Sequence, residues 1–175
     1  MGQARTTLVT VLLTSILAAC GQNPRAWGEV NSIIAAASEE QWAAIGEMVE
    51  SAMETRILTV RPEKTFRVTH QVPAGLEWDL LQRFRQLLLI GTPDSPWMAE
   101  ALALTERDSF DPPEILQVGD VWARGQNVTI LLLPSGGADG AAELMEPLHD
   151  LLDGQYRGWV RNRMFMSGRD SVLAD

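Results

Sequence analysis

Apolar and polar positions alternate along this chain in two rhythms that succeed one another. From Glu29 to Ala37, Val30, Ile33 and Ile34 form a run too apolar for a solvated strand, which predicts a strand buried on both faces. Ser38 stops it and, with Gln41 three residues on, makes a capping box, with Glu39 and Glu40 placed where the helix dipole favours acids. The helix continues to about Glu54, with Trp42, Ile45, Val49 and Ala52 on one stripe. Lys64 to Val72 alternates strictly, Phe66, Val68, His70 and Val72 against Thr65, Arg67, Thr69 and Gln71, and predicts a strand with one wet face. After Pro73-Ala74-Gly75, Leu76 to Arg85 has helical spacing. The run Leu87-Leu88-Leu89-Ile90, closed by Gly91, suits a central strand.

Asp94-Ser95-Pro96 offers a cap with proline at the first helical position, and a short helix is expected from Trp97 to Leu104. Thr105 to Glu114 is polar and turn-rich, an exposed loop. Ile115 to Ala123 and Asn127 to Pro134 read as strands of a hairpin joined at Arg124-Gly125-Gln126. A glycine-rich turn then leads into a helical pattern from Ala141 to about Arg163, where Pro147, Gly154 and Gly158 predict a kink or a division into two helices. The interleaving predicts an α/β (α+β mixed) fold, a mixed four- or five-stranded sheet with packed helices.

The segment before these elements has another character. Thr6 to Ala19 is an apolar stretch of about 14 residues, whereas a membrane helix needs ~20. With Arg5 ahead of it, it fits the apolar region of a secretory signal. It ends in Leu17-Ala18-Ala19-Cys20, and this tetrapeptide resembles the lipobox of bacterial lipoproteins. The resemblance implies a signal peptide over 1–19, lipidation of Cys20 by a diacylglyceryl group, and a membrane anchor in the cell envelope. The expected location is extracytoplasmic, on the outer membrane or the periplasmic face of the inner membrane. Residues 20–27 are then a short lipidated tether and 28–175 a single α/β domain.

Composition narrows the partners. Hydrophobic residues at 46% and charged residues at 21% describe a globular chain, and a net charge of −9 argues against nucleic acid and against electrostatic docking on anionic lipid. The single cysteine excludes an intramolecular disulfide, so stability has to come from packing. Six tryptophans against one tyrosine supply large apolar surfaces for it.

The strand close behind the lipobox, Trp42 early in the next helix, the alternating strand Phe66 to Val72, and Arg83-Phe84-Arg85 running into Leu87-Leu88-Leu89-Ile90 together resemble bacterial envelope lipoproteins of the domain of unknown function 4837 family. The resemblance implies no catalytic residues. Family members carry a second segment after the long helix, so it also implies that this chain is a short form or an N-terminal portion.

Candidate chemistry is sparse. His70 and His149 are the only histidines. His70 falls on the apolar face of its strand, where a core imidazole with one satisfied nitrogen accounts for it, and it is also a candidate binding residue. His149-Asp150 are neighbours on a helix and point in different directions. Zinc-binding His/Cys spacings are absent from the sequence, and no metal or cofactor is expected. Gly136-Gly137-Ala138-Asp139-Gly140 lacks the spacing and basic residues of a phosphate loop. Asp108, Asp111 and Glu114 do not match an EF-hand. Trp159, Arg157 and Arg161 mark the last helix as a candidate docking surface for lipid phosphates or an acidic partner.

The leading expectation is a lipid-anchored, non-catalytic binding or assembly module. One alternative is an envelope enzyme with a site assembled around His70, Asp108 and Asp111. Another is a subunit that docks on an envelope protein through its last helix.

Overall fold

The computed structural model describes residues 25–54, 65–74, 81–103, 105, 107–119, 121–135 and 137–172, with side chains as far as Gly158. Five strands, β1 (Ser32–Ala36), β2 (Arg67–Gln71), β3 (Gln86–Gly91), β4 (Glu114–Gly119) and β5 (Asn127–Leu132), form one mixed sheet in the order β2-β1-β3-β5-β4. The first four in that order are parallel, and β4 runs antiparallel to β5 along one edge. Among the described residues three α-helices, α1 (Glu39–Met53), α2 (Ala99–Ala103) and α3 (Met145–Val172), complete an α/β fold.

The central strands are apolar on both sides because both sides are covered. One face, carrying Ile33, Ala35, Leu88, Ile90, Leu131 and Leu133, packs against Ile45 and Val49 of α1 and Leu148, Leu152 and Tyr156 of α3. The opposite face, with Ile34, Leu87, Leu89, Val128 and Ile130, meets Met98, Ala101 and Leu102 around α2. A five-residue helix is too short to roof that face. Half-buried Phe84, Trp97, Phe110 and Trp122 fill in around it, which accounts for part of the tryptophan excess.

Several local signals act as the sequence predicts. The Ser38 hydroxyl accepts from the Gln41 amide at 3.1 Å, and the Ser38 amide donates to Gln41 Oε1 at 3.3 Å, so the capping box of α1 is closed on both sides. Ser38→Ala is expected to lower stability by about 1 kcal/mol in urea denaturation, with an unchanged dependence on denaturant. Buried Leu87 to Ile90 form the middle of the sheet.

Other elements differ for identifiable reasons. Residues 76–80 of the helical pattern expected from Leu76 to Arg85 lie outside the described residues; Leu81 is helical, but 82–83 are a turn and Phe84 bridges Trp27, so the end of that pattern is not helical. The β4–β5 register, Glu114 opposite Leu132 and Gly119 opposite Asn127, leaves residues 120–126 as the connection. The turn expected at 124–126 is thus only its last part. Met145–Val172 is a single α-helix entered from a 3-10 turn, Ala141–Leu144. Pro147 causes no break because it lies in the first turn of α3, where an amide has no intrahelical acceptor to lose.

The domain also starts earlier than the sequence indicates. Residues 25–27, expected in the tether, are threaded between two loops below the sheet: the Ala26 amide donates to Arg124 O at 2.9 Å, the Trp27 amide to Arg83 O at 3.0 Å, and the Arg85 amide to Trp27 O at 2.8 Å. This short segment closes the N-terminal edge of the parallel strands.

Candidate functional site

In open parallel sheets, ligands favour the C-terminal ends of the strands where the strand order reverses. Here that point lies between β1 and β3, since the chain passes from β1 to β2 on one side and then to β3 on the other. The residues gathered there are Ser38 and Gln41 from the start of α1 and Gly91, Thr92 and Ser95 from the end of β3. Gln41 and Ser95 crowd the backbone of Gly91. A Cβ at Gly91 would stand 2.5 Å from Ser95 Oγ and 3.3 Å from Gln41 Nε2, so glycine is required for the close approach.

The chemistry on offer is neutral hydrogen bonding. Ser95 is buried and its hydroxyl accepts from the Thr92 amide at 3.1 Å. The Ser38 hydroxyl is occupied by the Gln41 amide. Glu39 and Glu40 flank the crevice and disfavour an anion at the helix start. Among the described residues, the partners of the two hydroxyls are the Gln41 amide for Ser38 and the Thr92 amide and hydroxyl for Ser95.

His70 lies at the rim of this end on β2. Its ring stacks on Trp42, with centroids 4.6 Å apart and planes 1° from parallel, and Nε2 is 3.1 Å from Ala37 O. These contacts are those of a structural imidazole that locks β2 to β1 and α1. The carboxylates that the enzyme alternative places with it stand elsewhere. Asp108 and Asp111 are exposed in the loop before β4, at the other edge of the sheet. Four strand spacings separate the edges, about 19 Å. His70, Asp108 and Asp111 are therefore not brought together. Within that loop Glu114 is already engaged, accepting from Arg107 and from the Asp111 amide.

The remaining candidates divide by position. His149 is buried against Phe66, edge-on with centroids 5.9 Å apart, and its Nδ1 is 3.8 Å from Asp150 Oδ1, beyond hydrogen-bond reach. The Arg157 guanidinium is held by buried Asp153 one turn earlier on α3, with Nε donating to Oδ2 at 2.9 Å. Trp159 and Arg161 lie on the α3 backbone beyond the last described side chain, and Cys20 lies outside the described residues. Among the described residues no group of three or more His, Cys, Asp or Glu side chains could hold a metal, and no helix is long and apolar enough to cross a membrane.

The N-terminal edge of the sheet is the part that linear reading missed. Buried Gln126 organises it: Nε2 donates to Gln82 O at 2.7 Å and Phe84 O at 2.9 Å, while Oε1 accepts from the Trp122 amide at 3.2 Å. With the 25–27 segment threaded alongside, Arg25, Arg83 and Arg124 come together at this edge, all exposed. No motif in the sequence announces a convergence of three residues so far apart.

No family model, curated protein or solved structure matches the chain.

Proposed function

We propose that this protein is a lipid-anchored component of the bacterial cell envelope that presents a non-catalytic binding or assembly domain on the extracytoplasmic side of a membrane. The observation that carries the reading is the tetrapeptide Leu17-Ala18-Ala19-Cys20 closing the apolar stretch from Thr6. A diacylglyceryl group on the Cys20 sulfur carries two acyl chains, which at about 0.8 kcal/mol per buried methylene would hold the chain on a membrane almost permanently. The resemblance to the domain of unknown function 4837 lipoproteins belongs to the same reading. Two features of the folded domain agree with a non-catalytic role: Gln41 and Ser95 crowd Gly91 at the strand-order reversal, and His70 is separated from the loop carboxylates by the width of the sheet.

A second reading is favoured by α3. The helix continues from Tyr156, the last of its described side chains in the core, to Val172, which at 1.5 Å per residue is a further ~24 Å. That length of helix, with Trp159, Arg157 and Arg161 in its sequence, suits docking on another envelope protein.

Metabolic labelling with an alkyne fatty acid in a bacterial host tests the anchor. The wild-type chain is expected to carry label and to sediment with membranes, and Cys20→Ser to carry none. An unlabelled wild-type chain would overturn the proposal.

A further inference from the structure

The charges of this protein are sorted by the direction of its strands. At the C-terminal ends of the parallel strands stand exposed carboxylates, among them Glu39, Glu40, Asp94, Asp108, Asp111 and Asp139. Arg107, the described arginine at that end, is neutralised by Glu114. At the N-terminal ends the sign reverses. Arg25, Arg83 and Arg124 are exposed there, and none is ion-paired with a carboxylate of the described residues. Of the described acids nearby, Glu29 is held by Arg67 at 2.7 Å and Glu100 accepts from the Trp122 indole N–H at 2.8 Å. Glu50 and Glu54 belong to the far end of α1, which packs over β2 rather than over the β3 and β5 ends where the three arginines gather. Among the described residues of a chain with a net charge of −9, three arginines thus gather into a positive pole.

Two further observations fall on that pole. Trp27 is 49% exposed and is the exposed large hydrophobic side chain of the described residues; its ring leans on Phe84 with centroids 5.2 Å apart. An exposed indole beside arginines is the pairing favoured at a headgroup interface, where the ring sits at the apolar boundary and guanidinium groups meet phosphate. The pole is also where the chain enters the domain. Four residues separate Cys20 from Arg25, and the five steps between them reach at most about 18 Å when fully extended.

We infer that this edge, with Arg25, Arg83, Arg124 and Trp27, is a docking face for the phosphate groups of anionic phospholipids, and that it seats the domain on the bilayer with the C-terminal strand ends facing away. The inference rests on the lipid-anchor reading only for how the edge is brought to the membrane. A tether this short makes docking an intramolecular event, so weak individual contacts suffice. Repulsion of the acidic pole by the same lipids reinforces one orientation. The overall negative charge, which argues against lipid docking when counted along the sequence, does not oppose it once the charges are separated in space, because a surface field decays within a Debye length of ~8 Å.

The test uses the full chain, isolated from a bacterial host and reconstituted into vesicles of phosphatidylethanolamine with phosphatidylglycerol, or of phosphatidylcholine alone. Each set carries a headgroup nitroxide lipid that quenches indole fluorescence. The difference between wild type and Trp27→Phe isolates Trp27 from the other tryptophans. Trp27 is expected to be quenched in the anionic vesicles and released by high salt or by the Arg25→Gln, Arg83→Gln, Arg124→Gln triple variant. At about fivefold per arginine, the triple variant should shift the docked-to-undocked ratio by about a hundredfold. Exposed positions are used throughout, so the fold is not at stake. Trp27 unquenched in anionic vesicles, or equally quenched in phosphatidylcholine or in the triple variant, overturns the inference; the first outcome leaves an acidic protein as the partner this face fits. The mass of the N-terminal peptide reports separately whether Cys20 is lipidated. If the chain proves unlipidated and soluble, the anchor reading fails, and the same Trp27 signal on added vesicles still decides the docking face.

Discussion

Leu88→Ala is expected to lower the stability of this domain by about 4 kcal/mol, near the upper part of the range for emptying a buried leucine site. Leu88 is fully buried at the middle of β3, the central strand. Its cross-strand neighbours are Ala35 on β1 and Thr129 on β5, both on the face covered by α1 and α3. Neither neighbour has a side chain long enough to swing into the vacated space, and both belong to strands fixed by hydrogen bonds on each side. The cavity therefore stays open, and the term that grows with residual cavity volume is felt almost in full. Against a total of about 5–15 kcal/mol for a domain, such a loss removes a large fraction of the native population's margin. Calorimetry should show a melting temperature lower by about 12 °C, at about 3 °C per kcal/mol for a chain of this size. A loss below about 2 kcal/mol would mean that α1 and α3 settle inward and that this face is less rigid than its packing implies.

Gln126→Leu is the second large effect, at about 3 kcal/mol. Leucine has nearly the volume of glutamine, so little cavity is made and the change reads hydrogen bonding. Three backbone groups lose a partner at once: the Gln82 and Phe84 carbonyls and the Trp122 amide. Gln126 itself is 1% exposed, so little solvent reaches the position to replace it. Each buried backbone group left unpaired costs about 1–3 kcal/mol, and the estimate takes the low end because the loops can relax. Hydrogen exchange should show the damage as local. The amides of Ala26, Trp27 and Arg85, which tie the 25–27 segment to the same loops, are expected to lose protection, while those of β1 and β3 keep theirs. Uniform loss of protection across the sheet would show that this edge and the core unfold as one unit.

What could be read along the chain was whatever is decided within a few residues. The capping box at Ser38 and Gln41, the apolar run that becomes β3 and the α/β layering are local or periodic, and each is present in the fold. The misreadings share a cause. Gly125 has the composition of a hairpin turn, yet the strands part at Gly119 and Asn127 because Gln126 is drawn down to the 82–84 turn and Arg124 to the N-terminal segment. Phe84 fits a helical stripe by spacing but pairs with Trp27, 57 positions earlier. The candidate site suffers more than the fold. Whether His70 meets Asp108 depends on strand order, and strand order is a matter of long-range pairing that periodicity does not encode. The positive edge is hidden for the same reason, since Arg25, Arg83 and Arg124 are dispersed in sequence and their effect is cancelled in a net charge that sums over the whole chain.

The place of β5 between β3 and β4 has a consequence for biogenesis. As the polypeptide emerges from the ribosome, β3 finishes at Gly91, but the strand that covers its open side begins only at Asn127. At about 5–20 residues per second, the leucine-rich β3 waits a few seconds with one row of backbone donors and acceptors unmatched. β4 is synthesised in that interval and has no partner until β5 arrives to sit beside it. Until Asn127 to Leu132 is made, the open side of β3 is therefore a surface that a holdase chaperone can cover.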